Sequence, residues 1–156
     1  MNFTSPTKGK MNLEEVFQDI IQFVVSDPNS KYKLIIGSDS HARDETVFVT
    51  AIVIHQVGRG ARYYYSKKFH RKMTSLRQKI FFETALSLDT ASQLANKLSE
   101  TGHDELNVEI HLDIGPNGST RELIKEIVGM VTGSGFDAII KPDSCGASKV
   151  ADKYTK

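Results

Sequence analysis

The chain has 156 residues, 20 Lys or Arg against 19 Asp or Glu, and a formal net charge of +1. Its 39% hydrophobic content, 25% charged content and mean hydropathy of −0.30 fit one water-exposed globular domain and exclude a wholly disordered chain. No stretch approaches the ~20 apolar residues of a membrane-spanning helix, and MNFTSPTKGKMNLEE offers no apolar core for a secretory signal. The single cysteine, Cys145, cannot close an internal disulfide, so a reducing, cytoplasmic setting is expected.

Residues 1–11 show no periodicity and are read as a flexible N-terminal tail, ahead of a single domain over 12–156. Leu13, Val16, Phe17, Ile20, Ile21, Val24 and Val25 recur at helical spacing behind Asn12, a plausible N-cap, and Asp27-Pro28 ends that helix. The apolar face of this helix covers either a sheet or a partner subunit. KLIIGSDS (33–40), TVFVTAIVIHQ (46–56) and ARYYYSKKFH (61–70) read as three strands. Their short connections favour an antiparallel meander.

From Ser75 to Leu98 the pattern turns helical, with Phe81, Ala85, Leu88, Ser92, Ala95 and Leu98 on one face, a cap at Thr74 or Ser75, and Gly102 past the end. NVEIHLDIG (107–115) alternates and predicts a fourth strand. Ser119 and Glu122 have capping-box spacing ahead of Leu123, Ile124, Ile127, Val128 and Val131, and Gly133 and Gly135 close that helix. FDAIIKPD (136–143) is the fifth strand, and GASKVADKYTK starts a last helix. Strands entered after a crossover helix usually run parallel to their predecessor. The expected architecture is therefore α/β, with a mixed five-stranded sheet, three antiparallel strands then two parallel, flanked by helices.

Carboxylates fall at repeated positions in this layout. Asp39 ends the first strand, Asp113 the fourth and Asp143 the fifth; Asp152 lies in the last helix and Glu83 in the helix after the meander. Functional groups of open α/β sheets gather at the carboxyl ends of strands. If the fourth strand docks beside the first, Asp39 and Asp113 become neighbours. Close carboxylates repel unless a cation neutralises them, and oxygen-only clusters suit Mg²⁺ or Mn²⁺.

The segments IIGSDSH, KIFFETAL, IHLDIG and KVADKYT, in this order of elements, resemble the ribonuclease H-like superfamily. More narrowly, IIGSDSH, HLDIGPNGST and KPDSCGASKVADKYTK resemble its YkuK-like group of small bacterial proteins, over about residues 12–156. The extra N-terminal helix and the SDSH turn depart from ribonuclease H itself. The resemblance implies a ribonuclease H-like fold and a hydrolase cutting phosphodiester bonds of nucleic acid with two divalent ions, Mg²⁺ or Mn²⁺. It implies Asp39, Glu83, Asp113 and Asp152 as catalytic metal ligands. Asp39 would bridge both ions, Glu83 and Asp113 serve the leaving-group side, and Asp152 the water-activating side. Asp143 competes with Asp152 for the fourth place.

Other readings stay open. Asp39 within SDS and Asp113 before GPNG also fit turns, and a helical glutamate such as Glu83 is ordinarily solvated. His41, two residues from Asp39, fits a group orienting water or phosphate as well as a plain loop residue; His111 and a nucleophilic Cys145 are weaker candidates. SDSH also resembles the first metal motif of calcineurin-like phosphoesterases, but their later Gly-Asn-His is absent. Gly133-x-Gly135 precedes a strand instead of following one, which is wrong for a dinucleotide turn.

Charge patterning adds a separate argument. Thr46 to Phe82 contains no Asp or Glu but holds Arg59, Arg62, Lys67, Lys68, Arg71, Lys72, Arg77 and Lys79, interleaved with Tyr63, Tyr64, Tyr65, Phe69 and His70. Such a stripe suits a phosphate backbone with bases stacked on aromatics, and Lys67, Lys68, Arg71, Lys72 and Arg77 are the expected nucleic-acid contacts for RNA, DNA or a hybrid. It equally suits lysines guarding an edge strand. Two further functions compete with the nuclease: a non-catalytic nucleic-acid-binding module of the same fold, and a phosphoesterase acting on small molecules.

Overall fold

The structure, a computed structural model, describes residues 2–144 and 146–155, excluding the Ser148 side chain. Cys145 lies outside the described residues, and so does its proposed role. Among the described residues the elements are β1 (Asn2–Ser5), β2 (Gly9–Asn12), α1 (Leu13–Val25), β3 (Tyr32–Ala42), β4 (Glu45–Gln56), β5 (Gly60–Arg71), α2 (Leu76–Glu100), β6 (Val108–His111), α3 (Ile124–Gly133), β7 (Asp137–Ile139) and α4 (Ala147–Thr155). A 3-10 turn at Arg121–Leu123 leads into α3.

The strands form one mixed sheet in the order β2-β1-β5-β4-β3-β6-β7. The β3-β4-β5 meander is antiparallel, and β6 and β7 join in parallel, as the pattern of connections requires. The sheet has seven strands where five were expected, because the supposed tail is a hairpin. Its strands are only four residues long and largely polar, which hides them from periodicity. Tertiary contacts hold them: Phe3 and Met11 are cross-strand partners that both turn inward, and Thr4 pairs with Tyr65 of β5.

Asn12 ends this hairpin and caps α1. Glu15 N–H donates to Asn12 Oδ1 at 2.8 Å, and Asn12 N–H donates to Glu15 Oε1 at 3.0 Å, a reciprocal pair that satisfies two donors of the first turn. The capping box expected at Ser119 and Glu122 does not form. Thr120 precedes the 3-10 turn without a side-chain cap, and its Oγ1 instead accepts from Gly115 N–H at 3.2 Å.

Helices α1, α2 and α3 cover one sheet face, whose core includes Val16, Phe17, Ile20, Leu34, Ile36, Ile52, Ile54, Leu94, Ile110 and Ile127. Helix α4 covers the other, packing Ala147 and Ala151 on Ile35, Val49, Ala51 and Val53. The buried side of α2 is not the expected one. It runs through Ile80, Glu83, Thr84, Ser87, Thr90, Ala91, Leu94 and Leu98, so Ala85 and Ser92 face solvent. Polar matching explains the rotation: Ser38 Oγ lies 2.8 Å from Ser87 Oγ and 2.9 Å from Thr50 Oγ1, so the buried hydroxyls satisfy one another. That rotation brings Glu83 to the sheet.

Candidate active site

Alternation along β3 divides its residues between the two faces. Ile35, Asp39 and His41 share the α4 side, while Ser38 and Ser40 share the α2 side. Ser40 Oγ donates to Glu83 Oε2 at 2.5 Å, tying the helix carboxylate to the strand next to Asp39. Strand β6 runs parallel to β3 and ends at His111, so Asp113 follows in the bend after the strand and not within it. Asp152 lies in α4 and shares a side-chain hydrogen bond with Asp39.

Asp39 thus lies within electrostatic reach of Asp113 and Asp152, and Glu83 within reach of Asp39 and Asp113. Burial pushes the Asp39 carboxyl up to about 7. The Ser40 backbone N–H opposes that rise, and the hydrogen bond from Asp152 and the charges of Asp113 and Asp152 reinforce it. Glu83 is only 8% exposed. Burial pushes it up to about 8, with Asp39 and Asp113 adding to the rise and the Ser40 hydroxyl and Lys79 opposing it. A small cavity of about 10 Å³, room for one water, lies between Glu83, Asp113, Ser38 and Ser87.

The donor set is all carboxyl oxygen, which suits a hard divalent cation. The side chains are not drawn together around one point, however: no group of three or more His, Cys, Asp or Glu able to hold a metal ion is formed among the described residues. Lys141 Nζ sits 2.8 Å from Asp113 Oδ1 and supplies one positive charge there. Lys141 and Ser40 were not singled out from the sequence. The alternation that turns Ser38 and Ser40 toward α2 was the available signal for Ser40; nothing local marks Lys141, whose contact depends on the β7 crossover.

The remaining candidates separate. Asp143 is exposed and lines a different cleft, with Lys33, His55, Glu109 and His111. His111 also leaves the acid group. Its Nδ1 accepts from Gly146 N–H at 3.3 Å, so the neutral ring carries its proton on Nε2, 3.2 Å from Glu109 Oε1. Burial lowers its pKa, against the pull of Glu109. His41 is exposed and lines a cleft with Lys67, Phe69 and Tyr154.

The basic stripe divides as well. Lys67 pairs with Val49 and points to the Asp39 face, whereas Lys68 lies over the Phe82 ring at 5.5 Å on the opposite face. Arg71 and Lys72 line a groove with Phe81, Phe82 and Met130, and Arg77 donates to both carboxylate oxygens of Glu126 at 2.8 and 3.0 Å. Among the described residues no helix is long and apolar enough to cross a membrane.

Comparison with known proteins agrees with this architecture. The uncharacterized protein YkuK of Bacillus subtilis (strain 168) is 39% identical over 168 residues, spanning 99% of this chain and 96% of that protein. No solved structure matches the chain. The model of the family described as ribonuclease H-like matches residues 15–156, and the chain belongs to that family.

Proposed function

We propose that this protein is a divalent-metal-dependent nuclease, with Asp39, Glu83, Asp113 and Asp152 as the carboxylates that hold Mg²⁺ or Mn²⁺. One observation carries the reading: Asp39 shares a hydrogen bond with Asp152 and feels the charge of Asp113, while Glu83 feels both Asp39 and Asp113. Acids crowded in this way cost folding free energy, and such a cost is characteristic of functional sites. When bound, two such ions polarise a scissile phosphate and lower the pKa of an attacking water. Asp39 would be the shared ligand, Glu83 and Asp113 would serve the leaving-group side, and Asp152 the water side. The Ser40 hydroxyl fixes the Glu83 carboxylate against rotation, and His41, on the Asp39 face of β3, would orient water or phosphate. A cytoplasmic setting remains part of the proposal.

A binding module without catalysis is the second reading, and the Lys141–Asp113 pair favours it, because a lysine already neutralises part of the acidic charge. Calorimetric titration with Mn²⁺ separates the two. The nuclease reading expects saturable binding that Asp39→Asn removes, together with Mn²⁺-dependent cutting of labelled RNA, DNA or hybrid lost in the same variant. Nucleic-acid binding without metal binding supports the module. Hydrolysis confined to nucleotides or small phosphoesters supports a phosphoesterase.

A further inference from the structure

The β3-β4-β5 register continues the site across the sheet. Asp39 pairs with Val49, which pairs with Lys67; His41 pairs with Val47, which pairs with Phe69. Directly paired residues project from the same face, so Lys67 and Phe69 stand on the Asp39 face, two strands or about 10 Å away. Helix α4 covers this face only as far as its last turn. There the Tyr154 ring stacks on Tyr65, with centroids 3.7 Å apart, and its hydroxyl meets that of Tyr63 at 2.8 Å. Beyond Tyr154 the sheet is open, in a cleft of about 560 Å³ lined by His41, Val47, Lys67, Phe69 and Tyr154.

Phe69 is 65% exposed, more than any other large hydrophobic side chain of the described residues. Lys67 and Arg43 supply positive charge along the cleft, and Asp44 and Glu45 also line it. An aromatic face beside a cation, on the same sheet face as Asp39, matches a nucleotide whose phosphate lies near Lys67. A paired base shows such a ring only its edge; an unpaired base offers its whole face.

We propose that this cleft binds a single-stranded segment of RNA or DNA, with a base stacked on Phe69 and the adjoining phosphate at Lys67. The proposal deepens the nuclease reading and rests on it for the direction of the strand toward Asp39. Stacking is sequence-tolerant, so any unpaired run or frayed end qualifies.

The test measures binding apart from hydrolysis. Fluorescence anisotropy follows labelled oligouridine, oligothymidine, a blunt DNA duplex and an RNA–DNA hybrid, in EDTA and again with Ca²⁺. Single strands are expected to bind more tightly than both duplexes. Phe69→Ala should weaken single-strand binding about tenfold, Phe69→Tyr should preserve it, and Lys67→Ala should reduce the salt dependence by about one phosphate contact. Equal or tighter binding of duplexes overturns the proposal. So does an unchanged affinity in Phe69→Ala, a failure of single strands to bind, or a change of oligomeric state in Phe69→Ala that accounts for the loss. Absence of cutting with Mn²⁺ would sink the nuclease reading while leaving Phe69-dependent binding intact, so the two failures are distinguishable.

Discussion

Lys141, just after β7, places its ammonium nitrogen 2.8 Å from Asp113 Oδ1 in the loop after the neighbouring strand β6. Both side chains are at least partly exposed, so water screens the pair and its net contribution to folding is under about 1 kcal/mol. Its larger effect is on charge at the acid group, where the lysine competes with a divalent ion for Asp113. Lys141→Met should therefore raise Mn²⁺ affinity about tenfold, equivalent to about 1.4 kcal/mol, with little change in melting temperature. Calorimetric titration of the two proteins at one pH reads the difference directly; unchanged or weaker binding would argue that Lys141 assists the site.

Glu83 has a carboxyl pushed up to about 8 from an ordinary 4.5, first by burial and then by Asp39 and Asp113. A group whose pKa is higher in the folded than in the unfolded chain stabilises fully below the unfolded value and less as pH rises toward the folded one. Metal-free protein should lose stability between about pH 4.5 and about pH 8 from this group. Glu83→Gln should flatten that decline and raise the melting temperature in EDTA at pH 8, by an amount on the order of 5 °C. Mn²⁺ must displace the same protons, so its affinity for the unmodified protein should climb over this window. Differential scanning calorimetry across pH, with and without EDTA, checks both slopes.

The meander, its antiparallel sense and the parallel entry of β6 were legible because β-branched runs and short turns constrain them locally. So was the meeting of Asp39 with Asp113, which follows from strand order alone. The hairpin at residues 2–12 was not legible, because four-residue polar strands carry no periodicity and depend on Phe3, Met11 and Tyr65 for their place. The rolled face of α2 was missed for a related reason. Thr84, Ser87 and Thr90 look solvent-facing by hydropathy, yet all three are buried: Ser87 meets the hydroxyl of Ser38, itself bonded to Thr50, and Thr84 donates to Ile80 O at 2.8 Å. Lys141 depends on a contact across the β7 crossover that no spacing in the chain encodes.

Asp19 of α1 is buried, yet it keeps its charge. Burial alone would raise its pKa, but Lys8 and the Tyr64 hydroxyl bond its carboxylate, the charges of Lys8 and Arg62 add to them, and the net result lies below the usual 3.8. Arg62 Nη1 stands 3.3 Å from Asp19 Oδ1. The cluster ties the N-terminal hairpin, α1 and β5 together. A carboxyl with a lowered folded pKa stabilises above its unfolded value and loses that contribution as pH falls. Asp19→Ala should cost about 2 kcal/mol at pH 7, chiefly by leaving the buried Tyr64 hydroxyl without its acceptor, since water screens the half-exposed Lys8 and Arg62, and the charge-dependent part of the difference from the unmodified protein should shrink below pH 4. Urea unfolding at both pH values measures it, and a constant difference across that range would assign the loss to packing and not to charge.

Gly115 sets the distance between the Asp113 turn and Lys141. A Cβ built on it would lie 2.8 Å from Lys141 Cβ, an atom fixed by its own backbone and unable to swing aside. Gly115→Ala must therefore spread the two segments, stretching the bond from Lys141 N–H to Ile114 O, now 2.8 Å, and the bond from Gly115 N–H to Thr120 Oγ1. Overpacking of this kind costs about 1–3 kcal/mol. Because Asp113 is only two residues away, the shift should also move its carboxylate off the Asp39–Glu83 group. The expected signature is a folded protein with a lower melting temperature and weaker Mn²⁺ binding together. Lys141→Gly removes the competing ammonium as well as the clashing Cβ, so the double variant Gly115→Ala with Lys141→Gly is compared with Lys141→Gly alone: equal Mn²⁺ binding in the two assigns the defect to this contact, and weaker binding in the double variant gives the displacement of Asp113 another origin.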